Sequence, residues 1–384
     1  MSGDQHHVQP DNTASDLDRR FLNAAIELGY NYIGRTAPNP SVGAIIVRDD
    51  GDGPKVVGRG VTGDGGRPHG EVAALNEAGK LAQGATCYVS LEPCAHHGKT
   101  PPCVEALLYA GVARVVIAME DPDPRVKGRG TAFLRENQIT VFENVESVKA
   151  LRANLGHIKR VQLGRPAVTL KLAVSKDGKI GRKGEGFIRI TNDLSRRAVH
   201  AMRARSDTVL VGIGTILSDD PDLTCRLPGL ESWSKPRLVL DTKAQTPLDA
   251  KLFDKIDDVP VHIVVGEEAD ESKVIALEER GAGLIRMENT GKELVLESLL
   301  MRLAEEGMTN LFVEGGQQVA SAFLDAGFVD RVHLFHGQEE LGDAESIHPL
   351  TENRDILKVL PESGFEVVDT ANYDGDRLET WERS

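Results

Sequence analysis

The sequence has no apolar stretch near the ~18 residues that a membrane-spanning helix needs, no run of lysine and arginine, and only four cysteines, Cys87, Cys94, Cys103 and Cys225. Each shortage removes a class of function. Without a long apolar run, no membrane span is expected. Basic residues number 45 against 59 acidic ones, for a formal net charge of −14. A chain that acidic, with no segregated basic patch, is a poor binder of a phosphate backbone, so no nucleic-acid partner is expected. Four cysteines in 384 residues do not make a disulfide framework, and a reducing cytoplasm is the default compartment. Residues 1–15 are polar, lack a signal-peptide core and read as a disordered tail. There is no internal repeat and no low-complexity segment.

What is present is ordinary for a globular chain: 40% apolar and 27% charged residues, over a length that suggests about two or three domains. Ser15, three residues before Asp18, is a capping-box-like start for a helix running to about residue 33. After Pro38-Asn39-Pro40, apolar runs at 42–47 and 56–61 read as a hairpin. Helices at 69–78, 102–110 and 131–136 then alternate with strands at 86–91, 114–119 and 139–142, an α/β layered domain over 16–148. A charged helical stretch over 146–159 leads to Gly164-Arg165-Pro166 and is read, with 149–165, as a linker helix. A second domain over 166–384 has strands at 167–173, 208–211, 237–240, 261–265 and 310–313. Helices fit at 192–204, 294–306 and 317–327, the pattern of a mostly parallel, doubly covered sheet.

Chemistry concentrates in the first domain. His69-Gly70-Glu71 opens a helix, Pro93-Cys94 ends a strand, and Cys103 follows Pro101-Pro102 at another helix start. One imidazole and two thiolates suit tetrahedral Zn²⁺ with a fourth position open to water, a catalytic arrangement. Both cysteines are expected where a helix begins or is about to begin, which favours thiolate ligation. Glu71, two residues beyond His69, can carry protons for such a site without binding the metal. His96 and His97 remain alternative ligands, which would make the site structural. Cys87 and Cys225 read as packing residues. In the second domain, Gly212-Ile213-Gly214 fails the dinucleotide fingerprint because Leu217 stands at the third glycine. Gly315-Gly316 opens a helix and can offer backbone amides to a phosphate, or be a plain turn.

H-x-E followed by P-C and a second cysteine is the zinc deaminase signature, although eight residues, from Ala95 to Pro102, separate the cysteines instead of two. The segment 92–103, EPCAHHGKTPPC, together with Pro38-Asn39-Pro40-Ser41-Val42-Gly43 and Asp121-Pro122-Asp123-Pro124 with Gly128 and Gly130, resembles the bifunctional riboflavin biosynthesis deaminase–reductases, the RibD family. So do Lys171–Gly178, Arg203-Ala204-Arg205-Ser206-Asp207, Gly214-Thr215, Asp219-Asp220-Pro221, Leu223-Thr224, Arg226 and Glu314-Gly315-Gly316 in the second half. The resemblance implies a cytidine-deaminase-like α/β/α domain followed by a dihydrofolate-reductase-like α/β domain using NADPH. It implies His69, Cys94 and Cys103 as zinc ligands and Glu71 as the catalytic proton shuttle. Asn39, His97, Lys99, Thr100, Arg203, Leu223, Arg226 and Glu314 are implied as substrate contacts, and Ala173, Thr215, Asp219, Thr242 and Gly316 as cofactor contacts. The expected partner is a small phosphorylated pyrimidine, and the expected assembly a homo-oligomer. The sequence departs from the family at Ala73, at Gly184–Arg189 and at His336–Gly342. A nucleoside or tRNA deaminase with an appended domain, and a structural zinc module, are the competing readings. Glu71 argues against the second, since a purely structural site does not need it.

Overall fold

The computed structural model describes residues 14–290, 293–342 and 344–383. As far as residue 13, the tail expected over 1–15 lies outside them. The chain divides into two compact units, one ending at Gln162 and one starting at Leu163.

The capping box opens the first unit. Ser15 Oγ accepts from the Asp18 amide at 3.1 Å while Asp18 accepts from the Ser15 amide at 2.9 Å, starting α1 (Asp16–Tyr30). The helix stops short of residue 33 because Asn31 turns its amide group back onto the Glu27 carbonyl at 2.9 Å. Strands β1 (Gly43–Arg48) and β2 (Lys55–Val61) form the hairpin. They are followed by α2 (Gly70–Ala78), β3 (Thr86–Val89), α3 (Cys103–Tyr109), β4 (Arg114–Ile117), α4 (Arg129–Glu136) and β5 (Thr140–Phe142). The sheet order is β2-β1-β3-β4-β5, antiparallel through β1 and parallel beyond β3. A side chain at Gly43 would strike the Ala25 carbonyl of α1, and one at Gly60, which pairs with Ala44, would strike α2. Neighbouring strand positions face opposite ways, so α1 and α2 cover opposite faces and β1 is buried on both.

Asp18 fastens α1 to the sheet: Arg114 donates to its two oxygens at 2.6 and 2.8 Å, and the Tyr88 hydroxyl at 2.8 Å. Burial alone would raise that carboxyl, but these donors and Ser15 outweigh it and hold it well below the usual carboxylate range. The single helical stretch expected over 146–159 is instead two helices, α5 (Ser147–Ala153) and α6 (Leu155–Leu163). The break falls at Asn154, whose buried amide bonds back to the Ala150 carbonyl at 2.9 Å.

The second unit runs β6 (Ala167–Val174), β7 (Gly181–Arg182), α7 (Asp193–Ala204), β8 (Thr208–Gly212), α8 (Ile213–Asp219), β9 (Arg237–Leu240), β10 (Val261–Gly266), α9 (Glu271–Glu279) and β11 (Gly283–Met287). It continues through β12 (Asn289–Thr290), β13 (Glu293–Leu294), α10 (Leu296–Glu305), β14 (Asn310–Val313), α11 (Gln317–Asp325), β15 (Arg331–His336), β16 (Ser346–Ile347), α12 (Ile356–Glu362), β17 (Phe365–Tyr373) and β18 (Asp376–Arg383). Nine strands form the main sheet in the order β11-β10-β9-β8-β14-β6-β15-β18-β17. From β11 to β15 they are parallel, as the pattern predicts, and a C-terminal antiparallel hairpin that the pattern did not predict extends the sheet. Apolar clusters line both faces, one holding Leu170, Leu172 and Phe323, the other Val209, Val211 and Phe253. The loop over His336–Gly342 is tied to the Lys176-Asp177-Gly178 turn: Asp177 accepts the Leu341 and Gly342 amides at 2.9 and 2.8 Å.

Candidate active sites

In the first unit, α2 and α3 begin beside the loop that leaves β3. His69 is the N-cap of α2, but its ring makes no capping bond and is free for another task. Cys103 is the first residue of α3, whereas Cys94 lies in the loop rather than at a helix start. The three donor atoms lie within 4.8 Å of one another. His69 Nδ1 is 3.2 Å from Cys103 Sγ and 3.6 Å from Cys94 Sγ, and the Cys103 amide donates to Cys94 Sγ at 3.3 Å. The hydrogen bond from the Cys103 thiol lowers the Cys94 thiol to about 4, the His69 bond and Cys103 amide adding to it against burial. The largest cause is therefore the neighbouring Cys103 thiol, and the helix start contributes through the first amide of α3, that of Cys103.

Glu71, in the first turn of α2, is 3% exposed, and its Oε2 has no hydrogen-bond partner among the described residues. Burial, with the neighbouring Cys94 charge, pushes its carboxyl up to about 7. A buried, unpartnered carboxylate oxygen beside one nitrogen and two sulfurs fits a bound cation with a polarised ligand facing Glu71. His69, Cys94 and Cys103 thus fit zinc.

Around this cluster, Asn39 donates through Nδ2 to the Gly66 carbonyl at 2.9 Å. Lys99 is exposed, and Thr100 accepts a hydrogen bond from Arg67. His97 is exposed, with Nε2 3.2 Å from Glu105 Oε1, while its neighbour His96 has a buried Nδ1 without a partner among the described residues. Glu92 opens the 92–103 segment and is buried. Its carboxylate accepts the Gly128, Thr131 and Asp121 amides at 3.0, 3.1 and 3.3 Å, which explains why the 121–131 loop belongs to the same signature.

In the second unit a cleft of about 2000 Å³ opens along the C-terminal ends of the parallel strands, and all nine residues expected there line it. Ala173 is on β6, Thr215 and Asp219 on α8, Thr242 beyond β9, and Glu314 and Gly316 between β14 and α11. Gly316 is the N-cap of α11 and places that helix N-terminus, with its free amides, at the cleft. Arg203 grips Glu314 through Nε and through a second amino group at 3.0 Å, and donates to the Thr224 carbonyl at 3.1 Å. Both side chains of that pair are nearly buried. Arg226 is half-exposed and bonds Asp222 at 2.7 Å; Leu223, between them in the loop, is buried with φ +60°. His200 and Lys171 also line the cleft, though the motifs assigned them nothing. Burial, aided by the Arg203 and Arg226 charges, pushes His200 down to about 4, so its ring is neutral at physiological pH. Burial also lowers the Lys171 ammonium, against the pull of Glu314. A cleft this large, at strand C-termini and facing a helix N-terminus, fits a dinucleotide beside a substrate.

Comparison with known proteins follows the same division. Residues 166–366 match the family described as the RibD C-terminal domain, and residues 15–119 the cytidine and deoxycytidylate deaminase zinc-binding region. The riboflavin biosynthesis protein RibD of Aquifex aeolicus is 36% identical over 335 residues, 87% of this chain and 91% of that protein. The chain belongs to the RibD family. The RibD of Bacillus amyloliquefaciens is 37% identical over 83% of this chain and 84% of its own length. The solved RibD of Acinetobacter baumannii shares 32% identity with a TM-score of 0.80, covering 96% of this chain and 99% of that one. A Thermotoga maritima structure named as a diaminohydroxyphosphoribosylaminopyrimidine deaminase and 5-amino-6-(5-phosphoribosylamino)uracil reductase matches equally well, at 32% identity and TM-score 0.80 over 96% and 99% of the two chains. The cytidine-deaminase-like and reductase halves of the RibD family are thus both present. Among the described residues, no helix is long and apolar enough to cross a membrane.

Proposed function

We propose that this chain catalyses two steps of riboflavin biosynthesis. In the first, 2,5-diamino-6-(5-phosphoribosylamino)pyrimidin-4-one loses an exocyclic amine as ammonia, replaced by oxygen from water. In the second, the ribosyl chain is reduced to ribityl with NADPH. The observation that carries the reading is Glu71, a buried carboxylate with an unpartnered oxygen next to the His69, Cys94 and Cys103 donors.

His69, Cys94 and Cys103 would hold the zinc ion, which when bound would supply Lewis acidity to activate water. Glu71 takes the proton of the attacking water and delivers it to the departing nitrogen, a shuttle that needs a carboxyl titrating near neutrality. Asn39 holds the pyrimidine, and Lys99 and Thr100 the ribose-phosphate end. The resemblance places His97 at that end too; its pairing with Glu105, and the buried Nδ1 of His96 that has no partner among the described residues, favour His96 for a contact beside the cluster.

NADPH supplies the hydride of the second step, so the protein's work there is orientation and electrostatics. Ala173, Thr215, Asp219, Thr242 and Gly316 would hold the cofactor, and the α11 N-terminus would offer its free amides to an anionic group. Leu223 and Arg226 hold the substrate, Arg226 providing the phosphate-binding fork. Arg203, with donors on both Glu314 oxygens and on the Thr224 carbonyl, keeps Glu314 ionised at the cleft wall. The free state of all four cysteines suits a reducing cytoplasm, and a homo-oligomer is the expected assembly, read by light scattering. The test of function is a coupled assay. The diaminopyrimidine ribotide with NADPH should yield ammonia and NADPH oxidation; ammonia release without NADPH oxidation would remove the reductase half of the reading.

A further inference from the structure

Arg67 plays no part in the motifs, yet it spans the first site. It follows Gly66, whose carbonyl holds Asn39, and precedes Pro68-His69. Gly66 has φ +91°, and a Cβ there would come within 2.7 Å of the Asn39 amide, so this corner accepts only glycine. From it the Arg67 guanidinium crosses to the loop beyond Cys94. It donates to Thr100 Oγ1 and lies 3.5 Å from where a Cβ on Gly98 would stand. That loop is a tight turn, the Gly98 amide donating to the Thr100 carbonyl at 3.3 Å, and it carries Lys99 between the two residues that Arg67 touches. Among the described residues no carboxylate pairs with Arg67 or Lys99. Asp64 and Glu105, the carboxylates of adjoining segments, are engaged by Arg35 and His97. In a chain of net charge −14, an arginine fork with spare donors beside a free ammonium and a hydroxyl is a site for a phosphate dianion.

We infer that Arg67 binds the 5′-phosphate of the pyrimidine substrate together with Lys99 and Thr100, and thereby makes the deaminase selective for the phosphorylated ribosylaminopyrimidine over its dephosphorylated form. The inference rests on the deaminase reading above. The experiment compares wild type, Arg67→Met and Arg67→Lys by ammonia release from the ribotide and from the riboside. Zinc content and inhibition by ribose 5-phosphate are measured in parallel. Arg67→Met should raise KM for the ribotide about 10- to 100-fold, the loss of one charge-assisted contact, and weaken ribose 5-phosphate by a similar factor. KM for the riboside, kcat and zinc content should stay as in wild type, and Arg67→Lys should recover part of the loss. An unchanged ribotide KM overturns the inference, and so does an equal loss for ribotide and riboside, which would make Arg67 a brace between two loops. If Arg67→Met does not fold, the ribotide-to-riboside ratio of Arg67→Lys decides, an unaltered ratio counting against the inference. Wild type releasing no ammonia from either compound would instead overturn the deaminase reading itself.

Discussion

Replacing Glu71 by glutamine separates proton transfer from everything else at the first site. The side chain is 3% exposed and one carboxylate oxygen has no partner, so the amide fills the same volume without breaking a hydrogen bond to that oxygen. The cost to folding is that of one buried amide group short of an acceptor, about 1–3 kcal/mol. His69, Cys94 and Cys103 are untouched, so zinc should be retained. What disappears is the acid–base contribution, about 10²–10⁴-fold in kcat, or ~2.7–5.5 kcal/mol in the barrier at 1.36 kcal/mol per decade. Three measurements read this: zinc content, ammonia release from the diaminopyrimidine ribotide, and NADPH oxidation. The last should persist when the deaminated intermediate is supplied and vanish when only the diamino compound is. A variant that oxidises NADPH at the wild-type rate from the diamino compound would refute the reasoning, since either the reductase acts first or another group carries the proton.

Cys103→Ser should strongly reduce zinc occupancy by metal analysis; full occupancy would assign the third ligand elsewhere, with His96 the nearest alternative in the sequence. Arg226→Ala should raise KM for the deaminated intermediate about 10- to 100-fold by removing a charge-assisted contact, and an unchanged KM would take Arg226 out of the binding set. Asp18→Asn should destabilise the first unit by about 3 kcal/mol, because it leaves Arg114 without its charge partner. The sign with pH follows from the depressed Asp18 carboxyl: its stabilisation is present above its unfolded value near pH 4 and is lost as pH falls. The melting-temperature gap between wild type and Asp18→Asn should therefore be full at pH 7 and shrink below about pH 4; a gap independent of pH would remove the bridge as its cause.

The first site was legible because its chemistry is local: His69, Glu71, Cys94 and Cys103 fall within 35 residues, at a helix start, a strand exit and a second helix start that periodicity alone locates. What the sequence could not fix was direction. In the dipeptide His96-His97 both residues are equivalent on paper, and only the folded loop turns one to Glu105 and buries the ring nitrogen of the other. The second site depended on resemblance, since its lining comes from the ends of separate strands between Ala173 and Gly316. The embrace of Arg203 by Glu314, 111 residues apart, has no local signal at all. The C-terminal hairpin escaped for a different reason: β17 is exposed along most of its length and lacks the apolar run that marked the buried strands.

The position of β14 has a consequence for how the second unit must assemble. Strands β6 and β8 are made early in the chain and run parallel, yet neither is the other's neighbour; β14, more than a hundred residues later, fits between them. During synthesis from the N-terminus, their facing edges must stay apart until residue 313 has emerged. If they zipped together first, the sheet would be one strand short at its centre and would exclude Glu314 and the Gly315-Gly316 corner. The slot that delays completion of the sheet is therefore also the slot that sets Glu314 and the Gly315-Gly316 corner on the cleft wall, and a nascent chain that closes it early loses that wall.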